Sequence, residues 1–303
     1  MGRKTTGRFH GFLVVDKPAG WTSHDVVGRV RRLLGERRVG HAGTLDPAAT
    51  GVLPVAVGDA TKVLEWLDGA SKTYVADVTF GVSTDSADID GVVIATEDAS
   101  ALDRAAVEAA LASFLGQIDQ IPPMHSAIKV GGTRLYELAR AGVTVDRQPR
   151  SIVIHELQMH AWSDATATLL VHCSKGTYIR TLAQDLGDAV GYPAYLSNLV
   201  RVGSGPFTLA EAWTIAELSD LDLQAEWETV ALHPDQGLED VPAIVLSQAA
   251  GDDWSYGRPI EADDAGASGI VRVYSADGAW LGVAEHAGEP PRWCPARVVS
   301  DAA

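Results

Sequence analysis

The sequence predicts a mixed α/β fold, and three observations carry that prediction. Apolar runs with strand-like alternation recur along the first two thirds of the chain, segments of helical periodicity interrupt them, and beyond about residue 238 only short strand-like runs remain. The 303 residues allow one large domain with a small appendage or two medium ones.

The elements follow in chain order. FLVV at 12–15 reads as a short strand stopped by the turn signal Pro18-Ala19-Gly20. Thr22 or Ser23 then caps a helix in which Val26, Val30, Leu33 and Leu34 share a face, and Gly35 ends it. Residues 38–62 are dense in Gly, Thr, Asp and Pro and read as a long loop. SKTYVADVTFGV and GVVIATE alternate around DSADIDG as a hairpin would. Ser100 with Asp103 resembles a capping box before a helix bearing Val107, Leu111 and Phe114 or Leu115, closed by Gly116. IPPMHSAIKVGGTRLYELARAG passes from a proline-rich extension to a basic, glycine-turned segment and a short helix. RSIVIHELQMHAW and TATLLVHCSK are two further strands, and TYIRTLAQDLGDAVG is a helix ended by Gly187 or Gly191. AIVL, GIVRVYS and AWLGVAEH then suggest a small all-β unit over 238–303, leaving 1–237 as the main domain.

Composition excludes several classes. Hydrophobic residues form 46% and charged residues 21%, enough for a packed core, and no apolar run reaches the roughly 18 residues of a membrane span. FLVV is too short for a signal-peptide core, and Cys173 and Cys294 can form at most one bridge, so a reducing, cytoplasmic setting is expected. The net charge of −16 argues by itself against a polyanionic partner, yet it is segregated. Residues 1–62 carry +5, residues 63–209 carry −7 and residues 210–303 carry −14. RVRRLLGERR at 29–38 is either a solvated helix face or a surface for phosphates.

Few motifs carry chemistry. Asp88, Asp90, Gly91 and Glu97 occupy four spacings of a calcium loop, but Ser86 replaces the first aspartate and the flanks alternate like strands, so a hairpin turn is expected. His155, His160 and the His172-Cys173 pair lack zinc spacing, and no metal is expected. No nucleophile elbow, P-loop or dinucleotide fingerprint is present. What remains is Asp46 within GHAGTLDPAATG, a carboxylate among small neighbours, with Pro47 holding it extended and glycines admitting a ligand closely. From pattern alone, an aspartate that orders its own loop is an equal reading.

The segment GHAGTLDPAATGVLPVAVGDATK resembles the catalytic segment of the TruB family of pseudouridine synthases. LVVDKPAGWTSHDVV, SKTYVADVTFGVSTDSADIDG, IPPMHSAIK, LYELARAG and HCSKGTYIRTLAQDLG resemble further family blocks, in the family's order, over most of residues 10–205. The resemblance implies a pseudouridine-synthase fold with a twisted, largely antiparallel sheet, which the alternating strands allow, and a PUA-like C-terminal module. It also implies an RNA-contacting insertion at about 121–150. It implies isomerisation of the T-loop uridine of transfer RNA at position 55, with tRNA as partner, possible tRNA-folding activity, and no cofactor or metal. No protein partner is implied, and a monomer is expected.

By the same resemblance, Asp46 is the nucleophile toward the anomeric carbon, Arg180 its partner, and Tyr74 the ring that stacks on the base and assists proton transfer. A carboxylate suits attack on an electron-poor sugar carbon, and an arginine holds it ionised in one orientation. His41 enters the RNA fold where bases are displaced. Lys17, Lys129, Tyr178 and Leu199 are pocket or RNA-contact positions. Lys129, Arg134, Arg140, Arg147 and Arg150 supply phosphate contacts. Two other classes remain open at this stage: an RNA chaperone, and an unrelated aspartate-nucleophile transferase.

Overall fold

The computed structural model describes residues 8–67, 69–126, 128–261, 269–288 and 291–299, with the side chains of Lys129, Val130 and Arg140 outside the described set. GFLVVDK forms β1 (Gly11–Lys17), a run buried on both faces as an interior strand requires. Thr22 then caps α1 (Ser23–Leu34) through the Asp25 N–H while the Asp25 carboxylate returns a bond to the Thr22 N–H, and Gly35 ends the helix in the left-handed region.

The expected long loop at 38–62 is half strand. β2 (Val39–His41) and β3 (Thr50–Val57) pair antiparallel, and β3 is buried along almost its whole length. Its Gly, Thr and Pro content hides an apolar run, TGVLPVAV, that needs no alternation because both faces are covered. Pro54 is tolerated opposite Val14 of β1. Its carbonyl accepts the Ala42 N–H at 3.0 Å, so the side on which its own N–H is missing faces Ala42 rather than the β1 ladder.

Four-residue α2 (Leu64–Leu67) leads into β4 (Lys72–Phe80), whose burial alternates residue by residue. β5 (Val82–Thr84) and β6 (Val93–Thr96) form the expected hairpin. Asp103, rather than Ser100, caps α3 (Arg104–Leu111), because its side chain reaches the Ala106 N–H at 2.8 Å. After β7 (Gly116–Gln120), β8 (Lys129–Val130) and β9 (Thr133–Arg134) turn through Gly131 and Gly132 into α4 (Leu135–Arg140). β10 (Arg150–Ser163) and β11 (Thr166–Cys173) form a long hairpin. α5 (Ile179–Val190) is stopped by left-handed Gly191 and precedes β12 (Ala194–Ser204), β13 (Phe207–Thr208) and β14 (Trp213–Thr214).

Among the described residues these strands make a ten-stranded sheet in the order β14-β1-β3-β12-β4-β11-β10-β7, with β2 on β3 and β13 on β12. It is largely antiparallel; β1–β14 and β3–β12 are the parallel pairs. β12 is the seam, joining β3 on one side to β4 on the other. α3 and α5 pack against the β4–β11–β12 part, and α1 packs against β1 and β3. A mid-helix Gly187 permits the close approach of α5, since a Cβ there would stand 2.6 Å from the Tyr192 carbonyl.

A second sheet of β15 (Ala243–Val245), β16 (Ile260–Glu261), β17 (Ile270–Tyr274), β18 (Trp280–Ala287) and β19 (Arg292–Val298) has its own small core around Trp254, Val273 and Trp293. It is more than an appendage. Trp280 and Val283 join one apolar cluster with Phe12, Val14 and Leu67 of the main sheet region. Lys62 donates to the Val298 carbonyl, and Arg297 pairs with Glu65 at 2.7 Å.

Candidate active site

The loop between β2 and β3 carries Asp46, and it is pinned on both sides of that residue. Leu45 donates its N–H to the Ser23 hydroxyl at 3.0 Å, and that hydroxyl donates back to the Leu45 carbonyl. The Pro47 carbonyl accepts from the Gly20 N–H at 2.9 Å and from Lys17 Nζ at 3.1 Å. Asp46 is thus held by its neighbours' backbone while its carboxylate stays free to face a reactant.

That carboxylate meets Arg180. Nε of Arg180 lies 3.0 Å from Asp46 Oδ2, with the arginine side chain 5% exposed and the aspartate side chain 42%. The guanidinium has further duties: Nη1 donates to the Ser86 carbonyl at 3.2 Å and faces Asp88 Oδ2 at 3.7 Å, and Nη2 donates to the His125 carbonyl at 2.7 Å. One planar fork therefore gathers the aspartate loop, the β5–β6 turn and the segment after β7.

Burial dominates the chemistry of Asp46 and raises its carboxyl pKa. Arg180 and Lys17 oppose the rise, while Asp88 and Asp90 add to it. The sequence implies a cation that corrects for burial; here the correction is partial.

Lys17, expected as a pocket or RNA-contact position, lies beneath the aspartate loop. Its side chain is fully buried, donating to the Pro18, Trp21 and Pro47 carbonyls at 3.0, 2.7 and 3.1 Å. A lysine at the end of an interior strand has no route to solvent, and it braces the loop instead. Burial brings its pKa down to about 8, against the raising influence of Asp46.

Tyr74 on β4 lies opposite Arg201 of β12 and is 8% exposed, its ring in the same apolar cluster as Leu45 and Leu199. Burial raises the pKa of its hydroxyl. Leu199, 9% exposed, lies in β12 within the same cluster. Tyr178 caps α5 and is anchored through its backbone, its N–H donating to Gln120 Oε1 at 3.0 Å and its carbonyl accepting from Gln120 Nε2 at 3.3 Å. His41 ends β2 and stands edge-on to His24, ring centroids 5.7 Å apart.

The basic positions of the segment after β7 lie on several elements. Lys129 and Arg140 are placed on β8 and α4, and their side chains lie outside the described residues. Arg134 stacks over Tyr136, Arg147 donates to the Pro122 carbonyl at 3.0 Å, and Arg150 begins β10 in the open. In the N-terminal basic run, Arg29 binds Ser219, Arg31 the Val39 carbonyl and Arg38 the buried Asp59. Arg32 and Arg37 remain exposed.

Three positions escaped the sequence reading. Asp88 enters the sequence reading only as a calcium-loop position and then as part of a hairpin turn, Gln120 is one polar residue at a strand end, and Arg201 interrupts LVRVGS on a buried strand. A charged residue in an otherwise apolar strand was the available signal for Arg201. Among the described residues, no group of three or more His, Cys, Asp or Glu could hold a metal ion, and no helix is long and apolar enough to cross a membrane.

Comparison with known proteins follows the same lines. Residues 31–179 match the profile described as TruB family pseudouridylate synthase (N terminal domain), residues 180–235 that of the tRNA pseudouridylate synthase B C-terminal domain, and residues 242–299 that of Pseudouridine synthase II TruB, C-terminal. The chain is 43% identical over 292 residues to the tRNA pseudouridine synthase B of Pseudomonas fluorescens (strain Pf0-1), covering 95% of each. It is 51% identical over 243 residues to that of Symbiobacterium thermophilum, covering 79% of each. The fold is similar to that in a crystal structure of a Cbf5-Nop10-Gar1 complex, with a TM-score of 0.72 and 25% identity over 91% of this chain and 78% of that one.

Proposed function

The chain belongs to the TruB family of pseudouridine synthases, and from that premise we propose that it isomerises the T-loop uridine at position 55 of transfer RNA, with Asp46 as the nucleophile. The enzyme converts uridine in tRNA to pseudouridine. The observation that supports the assignment to Asp46 is its pairing with Arg180 at 3.0 Å while its carboxylate stays open to a ligand.

The reaction is balanced without a co-reactant. The N1–C1′ bond of uridine breaks, uracil turns while bound, C5 bonds to C1′, the C5 proton is lost and N1 gains one. The carboxylate of Asp46 engages C1′ as N1 departs and is released when C5 takes its place. Arg180 holds the oxygen toward the sugar and favours its ionised form. The target base must leave the folded loop, at a cost of a few kcal/mol. In this reading Tyr74 offers the base a flat partner that permits rotation, Leu199 lines its pocket, and His41 fills the space a displaced RNA base leaves.

The T-arm stem-loop is the proposed minimal substrate, the cytoplasm the proposed place of work and the monomer the proposed working form. Residues 1–237 are proposed as the catalytic unit and 238–303 as a PUA-like unit. The test uses an unmodified T-arm stem-loop incubated with the wild type and with Asp46→Asn, followed by mapping of pseudouridine. Product at position 55 with the wild type and none with the variant is expected; equal product from both would remove Asp46 from the mechanism.

A further inference from the structure

Arg201 lies in the middle of β12, in register with Gly51 of β3 on one side and Tyr74 of β4 on the other. Its side chain is 1% exposed. Nε donates to the Val52 carbonyl at 2.7 Å and Nη2 to the Gly43 carbonyl at 2.8 Å, so it binds both the strand that follows the aspartate loop and the stretch that leads into it. Across the β4–β12 pair Arg201 is in direct register with Tyr74, so the two buried side chains lie on the same face of the sheet and the guanidinium interacts with the Tyr74 hydroxyl.

Gly43 in the aspartate loop and Gly51 at the start of β3 both pack against this residue. Gly43 has φ +71°, and a Cβ there would stand 3.2 Å from Arg201 Nη1. Gly51 has φ +98°, and a Cβ there would stand 2.2 Å from the Arg201 carbonyl oxygen. The loop thus rests at both ends on one residue of the strand below it.

The partners of Arg201 are two carbonyls and the facing Tyr74 phenol, and among the described residues no carboxylate forms an ion pair with it. Burying a guanidinium among neutral acceptors costs stability, which a purely structural position would avoid with an aliphatic side chain. A guanidinium only donates, so the Tyr74 oxygen must accept, and the Tyr74 proton is directed away from Arg201.

We propose that Arg201 is a positioning residue for the isomerisation: it holds the Tyr74 hydroxyl in one orientation and ties it to the Gly43 end of the aspartate loop. It touches no substrate and acts through Tyr74 and Asp46. The inference rests on the assignment of Asp46 and Tyr74 to the site.

The test measures single-turnover rate and RNA affinity on the T-arm stem-loop for wild type, Tyr74→Phe, Arg201→Lys, Arg201→Gln and the Tyr74→Phe/Arg201→Lys pair, each first checked for folding by circular dichroism. The wild type and Asp46→Asn controls establish the assignment itself, so failure there is separable from failure of the inference. Tyr74→Phe and Arg201→Lys are each expected to lose tenfold or more in rate with affinity within threefold of wild type. The double variant is expected within threefold of the slower single one, because both remove the same orientation. Wild-type rates in folded Arg201 variants, a wild-type rate in Tyr74→Phe, or losses that multiply in the double variant would each overturn the proposal. So would failure of both Arg201 variants to fold, which would make the residue a folding determinant alone.

Discussion

At the scale of single residues, the site sets stability against reactivity. Asp46 binds a proton more readily folded than unfolded, since its pKa is raised. Its contribution to stability is therefore fully present below the ordinary aspartate pKa and is lost as pH rises through the raised value. At pH 8 the ionised carboxylate is a cost, so Asp46→Asn is expected to melt no lower than the wild type while making no product. The gap should shrink as pH falls toward about 4, where a wild-type carboxyl is itself protonated; a clearly lower melting temperature for the variant at pH 8 would contradict this. Activity carries the mirror image. The single-turnover rate should fall on acidification with a midpoint above the ordinary value of 3.8. On the alkaline side it should fall again near pH 8, as Lys17 loses the proton with which it braces Pro47. In Lys17→Met the alkaline limb should vanish and the plateau should drop; a limb unchanged in that variant would assign it to another group.

At the scale of elements, the aspartate loop is the part most sensitive to small changes. Gly51→Ala places a methyl carbon against a backbone oxygen and forces a left-handed conformation on alanine, so a loss of about 2–4 kcal/mol in denaturant unfolding is expected. Asp88→Asn is expected to slow catalysis while leaving RNA affinity within a few fold, because it loosens Arg180 without touching the RNA surface; single-turnover kinetics beside filter binding distinguishes the two effects. These elements also separate what a one-dimensional reading can reach from what it cannot. β4, β11 and α5 were legible because one covered face imposes a period on the residues. β3 was not, since burial on both faces erases the alternation and its Gly and Pro imitate a loop. Asp46 and Arg180 were legible through a motif, while Asp88 enters the site only because the β5–β6 turn folds back onto α5, a contact 92 residues apart in sequence. Lys17 was legible as important but not as buried, for nothing in DKP says that β1 ends beneath the loop it braces.

At the scale of the whole molecule, the acidic total is uneven along the chain, +5 over residues 1–62 against −14 over 210–303, and an RNA-binding protein of this charge is expected to gather its cations on the face that meets phosphates. Affinity for the stem-loop should fall steeply between 50 and 200 mM salt, as phosphate contacts release counterions, and a flat dependence would argue that cations contribute little to binding. The C-terminal sheet is seated on the same apolar cluster as Phe12 and Leu67, so ending the chain at residue 237 uncovers that cluster. The truncated protein is expected to melt roughly 5 °C or more below the full chain, given the several kcal/mol that burial of Trp280 and Val283 contributes. An unchanged melting temperature would show that the cluster closes without the second sheet. The placement of β12 reaches further, into biosynthesis. β1 and β3 on one side and β4, β7, β10 and β11 on the other are translated first, and the strand that must lie between them emerges from the ribosome only afterwards. From about residue 173, when β11 is complete, until about residue 204, β3 and β4 each present an unsealed edge, so synthesis passes through a stage of two separate ribbons awaiting the strand that joins them.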